Sequence, residues 1–64
     1  MKTTYDKEAN ALYVYFSDEK IARTEELRPG IILDFDANDR IIGMEMLDAK
    51  TQLSAAALKS LAAA

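Results

Sequence analysis

Apolar positions fall in short blocks along most of the chain, and polar stretches separate them. The residues of "KTTY" (2–5) read as a first short strand, followed by the polar, turn-like "DKEAN" (6–10). The clearest strand is "ALYVYF" (11–16), where aliphatic and aromatic β-formers run without a break. After the turn "SDEK" (17–20) comes a weaker strand, "IARTEEL" (21–27), which Pro29-Gly30 separates from the next apolar block. Two further strands, "IILDFD" (31–36) and "IIGMEML" (41–47), flank the turn "ANDR" (37–40).

Register tests this reading. A turn centred on Asn38 and Asp39 sets Phe35 against Ile42, Leu33 against Met44 and Ile31 against Met46. All three pairs are apolar and share one face, as a half-buried antiparallel pair requires. Ile32, Asp34, Asp36, Ile41, Gly43, Glu45 and Leu47 fall on the other face. The first half is less consistent. Pairing across "SDEK" joins Phe16 to Ile21 and Tyr15 to Ala22, whereas pairing across Pro29-Gly30 puts Ala22, Thr24 and Glu26 on the face of Phe35. Together these place Tyr13 and Tyr15 inward, in place of Leu12, Val14 and Phe16. An odd-length loop or a bulge in 21–27 would restore the aliphatic face.

Residues 51–64, "TQLSAAALKSLAAA", change character: helix formers dominate and no β-branched residue follows Thr51. A helix over about 51–62 is predicted, with Leu53, Leu58 and Leu61 on its apolar side, Lys59 and Gln52 opposite, and Asp48 or Thr51 as N-cap. Too short to persist alone in water, it should lay its leucine edge on the sheet. The expected fold class is α+β: an antiparallel β-meander of four to five strands followed by one C-terminal helix, all within a single small domain, 1–64.

Size changes how this fold must be stabilised. A chain of 64 residues buries a small core, and such domains usually rely on a disulfide, a metal or a partner chain. Cysteine is absent, which excludes disulfides and thiolate zinc sites, and histidine is absent, which removes the commonest general base and transition-metal ligand. The net charge is −3 and the eight basic residues are scattered singly, which argues against a phosphate-tracking nucleic-acid binder. No apolar run approaches the length of a membrane span and no charged-then-apolar leader opens the sequence, so a cytoplasmic protein with no membrane partner is expected.

Candidate chemistry concentrates in residues 33–45. Asp34, Asp36, Asn38 and Glu45 occupy positions 1, 3, 5 and 12 of a calcium-loop spacing. Asp39 stands where that loop needs glycine, and strands flank it where helices belong, which favours a hairpin whose Asp36 and Asn38 make turn hydrogen bonds. Asp34 and Glu45 share the outer face and could couple as an acidic metal-binding or enzymatic pair, or Arg23 could neutralise Asp34 or Asp36. With one sheet and one short helix there is little room for a water-excluding pocket, so no catalytic residue and no cofactor are expected. One helix covers one face. The uncovered Tyr13, Tyr15, Ile32, Ile41 and Leu47, with Leu58 and Leu61 of the tail, are the interface candidates, and a homodimer would bury them.

The segments "YDKEANALYVYFSDEK", "RTEEL" and "GIILDFDANDRIIGMEMLDA" together resemble the small bacterial family called domain of unknown function 2283, over residues 5 to about 53. The resemblance implies an antiparallel meander with a C-terminal helix and carries no established activity. Members lie, in some genomes, beside small toxin-like open reading frames, which raises an antitoxin-like role as an alternative to a homodimeric, non-enzymatic protein-interaction module. Asn10 replaces the aspartate usual in the family's "YDxEADALY", and Asp39 replaces the glycine usual in its "DxDxDGR".

Overall fold

The computed structural model describes residues 1–63, with side-chain burial described through Leu61; Ala64, the last residue of the predicted domain, lies outside the described residues. Five strands form, β1 (Lys2–Asp6), β2 (Ala11–Tyr15), β3 (Arg23–Arg28), β4 (Ile31–Phe35) and β5 (Ile41–Leu47), followed by two short helices, α1 (Ala49–Gln52) and α2 (Ala55–Ala63). The five antiparallel strands make one sheet, so the architecture is α+β. No helix among the described residues is long and apolar enough to cross a membrane.

The strand order is β1-β2-β5-β4-β3, which corrects the expected meander. β1 and β2 form one hairpin, and β3, β4 and β5 a three-stranded meander whose last strand docks on β2. The β2–β3 connection is therefore not a hairpin turn. It crosses the ends of β5 and β4 to reach the far edge. This resolves the clash of faces in the sequence reading: Leu12 lies opposite Met46 and Val14 opposite Met44, on the face that carries Leu33 and Ile31. β3 does contain an irregularity, between Glu26 and Arg28, but at the outer edge, in a strand that is exposed throughout and carries four charged residues, features that blunt an edge against further pairing.

In the β4–β5 hairpin, Leu33 faces Met44 and Ile31 faces Met46, as the sequence register requires. A bulge then inserts one residue into β5, so Phe35 meets Ile41 and not Ile42. Ile42 is buried while Ile41 is left half exposed.

The expected single helix is interrupted at Leu53 and Ser54. Leu53 is extended (φ −96°, ψ 149°). Ser54 caps α2, its Oγ accepting from the Ala57 N–H and its carbonyl from the Leu58 N–H. Asp48 occupies the N-cap position of α1 in a left-handed conformation without a side-chain cap bond, and Thr51 lies inside α1 with its hydroxyl turned back to Asp48. The interruption coincides with a tie to the sheet. Gln52 is drawn onto the end of the sheet, where its amide donates to the Leu47 carbonyl and accepts from Arg28.

The core is thin. Among the described residues Ala11, Leu12, Ile31, Ile42 and Ala49 are the buried apolar ones, and no large side chain is fully enclosed. Leu53, Leu58 and Leu61 are half-buried. The radius of gyration is 12.2 Å, against about 10.7 Å for a compact chain of this length.

Candidate functional site

Two ends of the sheet differ in character. At the end nearest α1, Asn10 acts as a hub. It takes up a left-handed conformation (φ 54°), and its carbonyl accepts from the Ala49 N–H. Its Oδ1 accepts from the Tyr5 hydroxyl and the Lys50 N–H, and its Nδ2 donates to Asp48 Oδ1. An asparagine serves all of these contacts because its short side chain carries an acceptor and a donor on separate atoms, the amide oxygen and the NH2 group. This end is a structural staple.

The opposite end is built by the crossover. The N–H groups of Phe16 and Ser17 both donate to the Ile42 carbonyl that the β5 bulge presents, and the Ala22 N–H donates to Phe35. Between these ties Ser17 and Glu19 close a small turn, the hydroxyl donating to Glu19 Oε1 and accepting from the Glu19 N–H. The segment turns Phe16 and Ile21 outward, and with Tyr15 and Ile41 they gather much of the exposed large apolar surface at this end. A depression of about 240 Å³ lies here, between crossover residues on one side and Tyr15, Asp34 and Gly43 on the other.

The residues singled out by sequence occupy separate places. Asp34 and Glu45 do share the outer face, but Asp34 faces Gly43 across the strands while Glu45 faces Tyr13 and Ile32. Asp34 is buried, at 6 % exposure, and accepts a hydrogen bond from Thr24 Oγ1 at 2.9 Å. Crossover residues Ser17, Asp18, Glu19 and Ile21 line the depression beside it. Asp36 organises its turn: Oδ1 accepts from the N–H groups of Asn38 and Arg40. The Arg40 N–H is the main cause that holds the Asp36 carboxyl below the ordinary aspartate value, aided by the Asn38 N–H, the Glu19 side chain and the Arg40 charge, with desolvation opposing. Asp39 adopts the left-handed conformation (φ 61°) that glycine would otherwise supply. Its carboxylate pairs with Arg23, which also bonds Glu25 and stacks over the Phe35 ring at 4.1 Å. Arg23 therefore serves Asp39 and Glu25, and neither Asp34 nor Asp36. Among the described residues, no three His, Cys, Asp or Glu side chains converge so as to hold a metal ion.

Of the interface candidates, Tyr13 and Tyr15 lie on one face with rings parallel to within 7° and centroids 6.3 Å apart. Ile32, opposite Glu45, and Leu47, opposite Ala11, are on the same face. Ile41 sits apart, at the bulge. Leu58 and Leu61 are half-buried on α2. Sequence reasoning missed the crossover end, because "SDEK" has the composition of a tight turn.

Comparison with known proteins gives one family. The model described as "Protein of unknown function (DUF2283)" matches residues 2–50, which takes in all five strands, the crossover and the start of α1. No curated protein and no solved structure matches the chain.

Proposed function

The chain belongs to the family of proteins of unknown function DUF2283, and from that starting point we propose that it is a non-enzymatic protein-interaction module that works as a homodimer. The observation that carries this reading is the thinness of the core. The chain exposes 4718 Å², whereas a compact monomer of 7.1 kDa exposes about 4,100 Å². The excess, roughly 600 Å² per chain, is close to what each partner contributes to a small stable interface. The surface offered to a second copy is the outer face between the crossover end and α1, where Tyr13, Ile32 and Leu47 surround a half-buried Glu45. An isologous contact there buries aromatic and aliphatic surface from both chains.

Sedimentation at micromolar concentration tests it. The expected mass is twice 7.1 kDa, falling to the monomer value for Ile32→Asp with the far-ultraviolet circular dichroism retained. A stable, folded monomer at that concentration refutes self-association. One observation favours the alternative of an antitoxin-like partner of a small toxin: Asp18, Glu19 and Asp34 bring three carboxylates to one depression, a surface suited to a cationic protein. Co-expression with the product of the adjacent open reading frame, followed by co-purification, tests that alternative.

A further inference from the structure

The depression at the crossover end contains an incompletely paired carboxylate. Asp34 is the buried charged residue of the core, and Thr24 Oγ1 is the hydrogen-bond donor it meets among the described residues. The ion pairs among those residues are Arg23 with Glu25 and Arg23 with Asp39, so none neutralises Asp34. Among the described residues no enclosed side-chain oxygen lacks a partner, so Asp34 Oδ2, which Thr24 does not bond, is not fully enclosed. Gly43 makes this possible. A Cβ at that position would stand 3.3 Å from Asp34 Oδ2, so the missing side chain leaves the oxygen uncovered.

A carboxylate drawn out of water is costly unless a cation and further donors meet it. Asp18 and Glu19 add two carboxylates to the rim, Tyr15 an aromatic ring and Ile21 an aliphatic wall. A bare divalent ion finds no converging set of three ligands here. An organic cation needs none. A planar guanidinium would have N–H groups both for Oδ2 and for a rim carboxylate, with Tyr15 and Ile21 to line its stem and a ring face to attract its charge. The volume, about 240 Å³, is that of roughly eight waters, enough for such a group and its stem.

We infer that this depression receives an arginine side chain of a partner protein, with Asp34 as its buried counter-charge. The inference rests on reading the chain as an interaction module, but not on self-association. The depression lies at the crossover end and borders the dimer face, since Tyr15 on its rim stacks on Tyr13; its Asp34 and Gly43 are one pairing step beyond Ile32 and Glu45.

The test uses the full chain and a blocked peptide, acetyl-Ala-Arg-Ala-amide, followed by the amide shifts of Tyr15, Glu19 and Gly43. The neutral isostere, with citrulline in place of arginine, is the control. Saturable shifts at these amides are expected for the arginine peptide, with affinity at least about tenfold lower for the citrulline peptide and for Asp34→Asn. Asp34→Asn keeps the Thr24 contact; should it fail to fold, the rim variant Asp18→Asn with Glu19→Gln, whose replaced residues are both exposed, must weaken binding several-fold. Equal shifts with both peptides, unchanged binding by the rim variant, or the same shifts from calcium chloride alone at comparable concentration overturn the inference. So does an unresponsive wild type whose Gly43 amide moves on dilution, because a second copy then fills the depression. Sedimentation of the same samples separates the two readings: a dimer that ignores the peptide refutes the arginine site alone, and a monomer that binds it refutes self-association alone.

Discussion

Replacing Asn10 with alanine should remove a large part of the stability of the chain. The side chain makes three hydrogen bonds, from Tyr5, from Lys50 and to Asp48, of which the Tyr5 bond is partly buried and the others exposed. At roughly 0.5–1 kcal/mol each their loss costs about 1.5–3 kcal/mol. The backbone at this position is left-handed (φ 54°), which alanine adopts at a further cost of about 1 kcal/mol. The total, about 2.5–4 kcal/mol, compares with roughly 3–10 kcal/mol for the whole unfolding free energy of a domain this size. Thermal unfolding should shift down by at least about 10 °C. Chemical denaturation at fixed protein concentration measures it, since association would otherwise move the midpoint. Asn10→Gly separates the two contributions: it loses the hydrogen bonds but accepts the left-handed backbone, and should be about 1 kcal/mol more stable than Asn10→Ala. An alanine variant within about 0.5 kcal/mol of wild type refutes the hub, and equal stability of the two variants refutes the backbone contribution.

Turns at opposite ends of the sheet give two further expected outcomes. Because Asp36 titrates below its ordinary value when folded, its contribution to stability is present above the unfolded-state value and is lost as pH falls through the lower folded one; the Asn38 and Arg40 amide shifts should titrate together with a midpoint below that of an ordinary aspartate, and a midpoint at or above it contradicts the assigned bonds. Gly30→Ala should destabilise by more than about 1 kcal/mol, because the backbone is left-handed (φ 85°) and the new Cβ would lie 2.6 Å from Gln52 Nε2; an alanine variant as stable as wild type in denaturant would show that Gln52 does not seal this end.

The strands were legible because each has its own period and punctuation, and the Leu33–Met44 and Ile31–Met46 pairs because a short turn leaves one register that keeps both faces consistent. Strand order was not. A crossover and a tight turn share the letters Ser, Asp, Glu and Lys, and composition does not encode which edge a strand will reach. One signal was present: without an odd-length loop or a bulge, no neighbouring arrangement of 11–16 with 21–27 put Leu12 and Val14 on the face of Leu33, and that conflict fits two strands that do not touch. In the tail, alanine propensity runs continuously through Ser54, and the tie of Gln52 to Leu47 that coincides with the interruption is a tertiary contact. Burial of Asp34 likewise goes with the crossover beside it, so alternation alone gave its face and not its burial.

The insertion of β5 between β2 and β4 also sets an order of assembly. β1 and β2 can close as soon as residue 15 is free, and β3 and β4 soon after residue 35, because each pair is local in the chain. β2 meets its second neighbour across some thirty residues, once Leu47 has been made. On a ribosome adding about 5–20 residues per second, the open side of "ALYVY" then spends seconds without its second neighbour. Substitutions in β5 should therefore be felt first in the yield of folded protein, before any contact they make in the finished sheet is tested.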